Sequence, residues 1–384
     1  MKRIMALAAV SLFLVGSPAL AEDAPKGVSK DQVQKAAKKG AEFLVKKQNA
    51  DGGFGEFKGQ PASSVGYTGL VVAALVESGT APGGKDGEVV KKAVEFILKQ
   101  KQPDGGIYMK DAGVQSYETS IAVMALAAVD KDKYKAEIKK AANYLIGIQD
   151  DGSKNPLSKG GIGYSKDGQQ SNLSTTHYAL QALKAAGVPE DSEAWKNAIA
   201  FVSSCQNDSE INKSESAAVV NDGGFTYSPT ESKAGKVEVG GKKGWRSYGS
   251  MTYAGYLSYV YAKVSKDDAR VKAAMKWISE NYGLDDNPGL GSEGLYYYYL
   301  TFATAMSARG EATLKDKAGK EHNWAQELGG KLISLQAADG SWLNKADRWH
   351  EGDQVICTAY SVRALARVLE ALPDEAGEAL NRTL

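Results

Sequence analysis

The sequence has 384 residues, with Lys+Arg 47 against Asp+Glu 46 and a formal net charge of +1. Hydrophobic content of 43% and charged content of 24% describe an ordinary globular chain, and the near-zero charge excludes a global basic field for nucleic acid. Two cysteines, Cys205 and Cys357, are too few for a disulfide framework, so buried free thiols are expected.

The chain opens MKRIMALAAVSLFLVGSPALAEDAPK. Lys2 and Arg3 form a basic head, residues 4–15 are mostly apolar, and Ala19-Leu20-Ala21 is a small-x-small cleavage site before Glu22. This is the pattern of a secretory signal peptide over residues 1–21, with a retained membrane anchor as the competing reading. No later run is long and apolar enough to cross a bilayer. The mature chain is therefore expected to be exported, periplasmic or extracellular, and not transmembrane.

Ser29-Lys30-Asp31 starts a helix predicted to run to about Lys47. Val33, Ala36, Ala37, Gly40, Phe43 and Leu44 share one of its faces, with lysines opposite. Asp51-Gly52-Gly53 stops it, because glycine supplies positive φ without a Cβ clash. Residues 63–77 form a different kind of helix, almost free of charge and rich in Ala, Gly and Val. A helix apolar on all sides is a buried one. The amphipathic–apolar pair then recurs: 88–101 with 116–129, 134–149 with 174–186, and 192–206 with 248–263. Two more follow, 267–282 with 296–308 and 322–336 with 353–370.

Six such pairs predict an all-α fold, an (α/α)6 toroid with amphipathic helices outside and apolar helices inside. Residues 22–384 are expected to form that single domain, and an open superhelix is the rival arrangement. Aligned on their Ala-Leu pairs, the inner helices place Thr68, Thr119, Thr176, Thr252 and Thr358 at one position, with Tyr299 in the fifth repeat. One reading has each Thr bonding its own helix backbone. The other makes the ring a polar, ligand-binding rim above an apolar cavity.

Lys39-Gly40-x-x-Phe43-Leu44-x3-Gln48-x3-Gly52-x-Phe54 resembles the QW motif of the squalene-hopene and oxidosqualene cyclases. Gln336-x3-Gly340-x-Trp342 gives the motif's ending, and the stretches before Gln149 and Gln206 are further close matches. The second repeat has Lys101 in the Gln slot and the fifth has Tyr282. The chain is identified as a member of the terpenoid cyclase and protein prenyltransferase toroid superfamily over about residues 30–370. The resemblance implies a structural role for the glutamines, tying outer helices together at carbonyl-rich helix ends.

Class II cyclases of that superfamily protonate an alkene through an Asp-x-Asp-Asp motif just before a Thr. The residue two before each Thr here is Gly66, Tyr117, Ser174, Ser250 and Ile356, and none is acidic. No Asp-Asp-x-x-Asp magnesium motif occurs either. The prenyltransferases bind zinc through Asp-x-Cys and a distant His, and the nearest set is His350, Asp353 and Cys357. The competing reading is that Asp353 caps the last inner helix, Cys357 is buried, and His350 lies in a loop. No cofactor is expected.

Two residues are candidate proton donors. Glu118, beside Thr119 in an apolar helix, would have a raised pKa if buried among aromatics, or would be satisfied by a neighbouring Tyr or Lys. His177, after Thr176, is either a cavity acid or a core histidine. Tyr296–Tyr299 and the tyrosines of 248–261 offer π faces and hydroxyls to a ligand, or fill the core. The expected function is an exported protein that binds an apolar, isoprenoid-like or amphipathic small molecule in a central cavity. The alternatives are a cyclase-like enzyme with a non-standard acid, and a carbohydrate-active (α/α)6 enzyme using Asp285, Asp286 and Glu293.

Overall fold

The computed structural model describes residues 27–57, 60–165 and 170–373. The expected signal peptide lies outside the described residues. Six amphipathic helices are α1 (Lys30–Lys46), α3 (Glu88–Lys99), α5 (Lys135–Gly147), α7 (Glu193–Ser204), α10 (Ala269–Glu280) and α12 (Trp324–Leu335). Their apolar partners are α2 (Val65–Glu77), α4 (Gln115–Asp130), α6 (Leu173–Ala186), α9 (Gly249–Tyr261), α11 (Leu295–Arg309) and α13 (Gln354–Ala371). Each end lies within two residues of the sequence expectation. Ser29 starts α1 with a capping box, its hydroxyl accepting the Gln32 amide while the Gln32 side chain accepts the Ser29 amide.

The apolar helices touch in the cyclic order α2, α4, α6, α9, α11, α13 and back to α2. That closes the inner ring, so the architecture is the (α/α)6 toroid and the open superhelix is excluded. The connections from outer to inner helices carry what periodicity did not predict. Short antiparallel hairpins pair β1 (Phe54–Phe57) with β2 (Gln60–Ser64), β3 (Lys236–Val239) with β4 (Lys242–Trp245), and β5 (Thr313–Lys315) with β6 (Glu321–Asn323), the last of these between α11 and α12. A short helix, α8 (Glu215–Val220), sits in the longest insertion. Cys205 and Cys357 are free and buried.

Each outer helix is clasped to the next. Gln48 Nε2 donates to Gly52 O in its own turn and to Val89 O of α3, at 2.9 and 2.8 Å. Gln149 does the same to Gly160 and Ala194, and Gln206 to Gly223 and Arg270. The two departures from the motif keep the reach with other chemistry. Lys101 Nζ meets Glu137 of α5 at 3.4 Å, and Tyr282 donates to Glu327 of α12 at 2.7 Å. The turn glycine is needed for this approach: Gly52 has φ 86, and a Cβ there would lie 2.7 Å from the Lys92 carbonyl.

Candidate functional site: a tyrosine-walled cavity

The Thr ring faces away from the centre. Thr68 Oγ1 accepts the Phe54 amide at 2.9 Å and donates to Ser64 O at 2.6 Å. Thr119, Thr176, Thr252 and Thr358 accept the amides of Ile107, Ile162, Phe225 and Trp342 at 2.9–3.1 Å. Tyr299 serves the fifth unit by donating to Leu284 O at 2.7 Å. All five threonines are fully buried. They clamp the turn after each outer helix to the inner helix, which corrects the reading of them as a ligand-binding rim.

A cavity of about 510 Å³ opens among the first turns of the inner helices. Its wall is set by the register two residues earlier: Gly66, Tyr117, Ser174, Ser250, Tyr297 and Ile356. Two positions is roughly 200° around a helix, so the wall and the Thr clamps lie on opposite faces. Tyr178 and Tyr360 close the floor one turn deeper. Tyr178 stacks on Tyr297 with centroids 6.0 Å apart, and Tyr117 meets Tyr178 edge-on at 5.0 Å. Tyr67, Tyr164, Tyr227 and Tyr248 complete a wall of eight tyrosines, which makes it amphipathic rather than purely apolar. The hydroxyls of Tyr164 and Tyr227 lie 2.7 Å apart, and that of Tyr117 bonds Ser174.

Two glutamates stand in this wall. Glu118 is 2% exposed, and its Oε2 accepts the Met109 amide at 2.7 Å. Burial pushes its pKa above the ordinary carboxylate value, while the amides of Met109, Gly66 and Val65 oppose that shift. Its partners are thus backbone amides, two of them at the start of α2, and not a neighbouring Tyr or Lys, which was one of the two alternatives. Glu351 holds the start of α11 in the same way. Its Oε1 accepts the Tyr297 amide at 2.8 Å, and its Oε2 accepts the Tyr296 amide at 3.2 Å and Asn344 Nδ2 at 2.7 Å. Burial raises its pKa too, against the Asn344 side chain and the α11 amides. No periodic signal marked Glu351, because it lies in an irregular loop.

That loop overhangs the mouth. Asn344 N donates to Glu351 O at 3.1 Å and closes the segment between them. Trp349 and His350 both adopt left-handed backbone, with φ 57 and 65, an uncommon conformation for bulky residues. Trp349 is 42% exposed yet also lines the cavity, over Gly294.

The remaining candidates are elsewhere. His177 borders a separate small void beneath the floor, with Gln181 and Arg363, and stacks on Tyr261 at 5.8 Å. Burial drives its pKa down to about 4, against a bond to the Ala254 backbone, so it is a neutral core histidine and not a cavity acid. Among the described residues no three His, Cys, Asp or Glu side chains gather closely enough to hold a metal. Asp353 caps α13 through the Val355 amide at 2.6 Å, and Cys357 Sγ donates to Glu351 O at 3.0 Å. These contacts match the capping reading of Asp353 and the buried-thiol reading of Cys357. Asp285 is exposed and paired with Lys331 at 2.8 Å, and Glu293 is paired with Arg348. With Asp286 they form no groove at the cavity.

Two family models match the sequence: the squalene-hopene cyclase C-terminal domain over residues 60–226, and the prenyltransferase alpha-alpha toroid domain over residues 3–107. Together the two matches span residues 3–226, and they agree with the resemblance carried by the repeat motif. A search of curated proteins finds no match. Among solved structures, this toroid resembles a variant of the type II terpene cyclase MstE from Scytonema at 14% identity, over 89% of this chain and 99% of that one, with TM-score 0.52. It also resembles an alpha-amylase from Clostridium perfringens at 14% identity, over 90% and 99%, with TM-score 0.53. A glycosidase variant matches at 12% identity, over 90% and 100%, with TM-score 0.52. At such identities the likeness is one of fold, shared by toroids with unrelated chemistries.

Proposed function

We propose that this toroid is exported, and that in the periplasm or outside the cell it binds a small molecule with an apolar body without performing standard cyclase chemistry on it. One observation carries the reading. The wall register where class II cyclases of the superfamily hold their acid is filled by Gly66, Tyr117, Ser174, Ser250, Tyr297 and Ile356. The two wall carboxylates at other positions are engaged by backbone amides, of Met109 and the start of α2 for Glu118 and of the start of α11 for Glu351. A volume of about 510 Å³ falls within the roughly 300–1,000 Å³ of small-molecule sites, and tyrosines offer both apolar faces and anchoring hydroxyls. Native mass spectrometry of the purified protein, followed by incubation with squalene and with prenyl diphosphates, tests the proposal. One apolar molecule bound per chain and recovered unchanged is the expected result. Cyclised or hydrolysed product that vanishes in Glu118→Gln would replace it with the cyclase-like alternative.

A second reading has its own observation. Glu118 and Glu351 share one cavity, and glycoside hydrolysis runs on a pair of carboxyl groups. Reducing sugar released from α-glucans, and abolished by Glu118→Gln and by Glu351→Gln, would establish that activity.

A further inference from the structure

Resting on the reading of the cavity as a ligand site, we infer that its ligand is a cationic amphiphile, an alkylammonium-type head on an apolar chain. The wall is built for such a charge. Phenol rings carry negative π faces, and Tyr117, Tyr178, Tyr297 and Tyr360 meet around the cavity floor. Trp349 stands at the mouth, where its ring already carries the Arg348 guanidinium 4.3 Å from its centre, so the chain itself places a cation on an aromatic face there.

The charges in the wall point the same way. Glu118 and Glu351 are both buried there, and among the described residues neither forms an ion pair. Their partners are backbone amides and the Asn344 amide group, which hold a carboxylate without adding a full positive charge to the cavity. Among the described residues Lys233 is the one lysine or arginine in the wall, and it is already engaged. Its Nζ lies 2.5 Å from Glu231 Oε1 and 4.2 Å from the centre of the Tyr227 ring. The chain thus seats its own alkylammonium on one cavity tyrosine, beside a carboxylate. A ligand ammonium would find the same pairing of ring face and carboxylate on the unoccupied tyrosines near Glu118 or Glu351. An anionic head, such as a diphosphate, would meet two carboxylates with Lys233 already spent.

Three amphiphiles with one decyl chain separate head from tail: decyltrimethylammonium, neutral decyldimethylphosphine oxide and decyl sulfate. Each is titrated into the purified protein below its micelle concentration, with heat and Trp349 fluorescence read out. The cation is expected to bind roughly tenfold or more tighter than the neutral analogue, and the sulfate most weakly. Glu118→Gln and Glu351→Gln should each weaken the cation and leave the neutral analogue unchanged. Lys233→Met bears on neither helix cap, and by freeing the Tyr227 face it should strengthen the cation alone. Equal affinity for cation and neutral analogue, or tightest binding of the sulfate, overturns this inference while leaving the cavity a ligand site. Failure of all three to bind removes the underlying reading as well.

Discussion

Gln336 Nε2 donates to the carbonyl of Ala36 at 2.9 Å, across 300 positions of sequence. The last outer helix thereby holds the first by the bond that Gln48, Gln149 and Gln206 make to their own successors. Closure of the ring is one more repeat of a local device. Gln336→Ala is expected to cost about 1–3 kcal/mol, since it leaves two part-buried carbonyls without that partner. Guanidinium unfolding checks the value against Gln48→Ala, which should lose a similar amount. A negligible loss would mean that the packing of the apolar helices holds the ring unaided.

Thr358→Val keeps the shape of a buried side chain and removes the acceptor of the Trp342 amide. Stability should fall by about 1–3 kcal/mol, with ligand affinity unchanged. Lost affinity at full stability would restore the threonine ring as a binding rim.

His177 makes the fold sensitive to mild acid. In the folded chain it stays neutral to about pH 4, whereas its ordinary value is 6.5. Below pH 6.5 the unfolded chain takes up a proton that the folded chain refuses. Stability therefore falls as pH drops from 6.5 towards 4, by on the order of 3 kcal/mol in full. Unfolding midpoints at pH 7 and pH 5 should differ in the native chain and converge in His177→Asn.

Beneath the cavity floor, Glu77 lies 3.0 Å from Arg363 and 2.8 Å from Arg367. Burial alone would raise the Glu77 pKa, but the two guanidiniums outweigh it and hold the group below its ordinary 4.5. Its contribution is therefore present above pH 4.5 and lost as pH falls towards the lower folded value. Arg363→Met leaves this buried carboxylate one partner short and should cost about 3–5 kcal/mol at neutral pH. The acid limb of its stability profile should also be shallower, because the Glu77 pKa would then lie nearer its unfolded value.

The helices and their pairing were legible in the sequence because the outer members alternate faces so plainly. Val33, Ala37 and Leu44 are buried on α1 while its lysines stay in water. The inner members gave no such cue. Residues of α4 such as Ser116, Glu118, Thr119 and Ile121 are buried on every side, so composition could not say which face turned inward. A shared Thr position was visible, but its partner, an amide in a preceding turn, was not. In sequence Tyr117 and Ser174 read only as departures from an acid motif, whereas in the fold they are part of the wall itself. Glu351 carries no signal in the sequence because its role depends on where a loop crosses the start of α11.

A ring held in this way has no privileged starting point. Helix α13 lies against both α1 and α2, so the first and last helices of the described residues are already neighbours. The step from an inner helix to the following outer one needs as little as residues 131–134, between α4 and α5. A circular permutant that joins α13 to α1 through a short flexible linker, and opens the backbone at 131–134, should fold to the same toroid with its cavity intact. Which helix the ribosome makes first would then be an accident of gene order and not a requirement of the architecture.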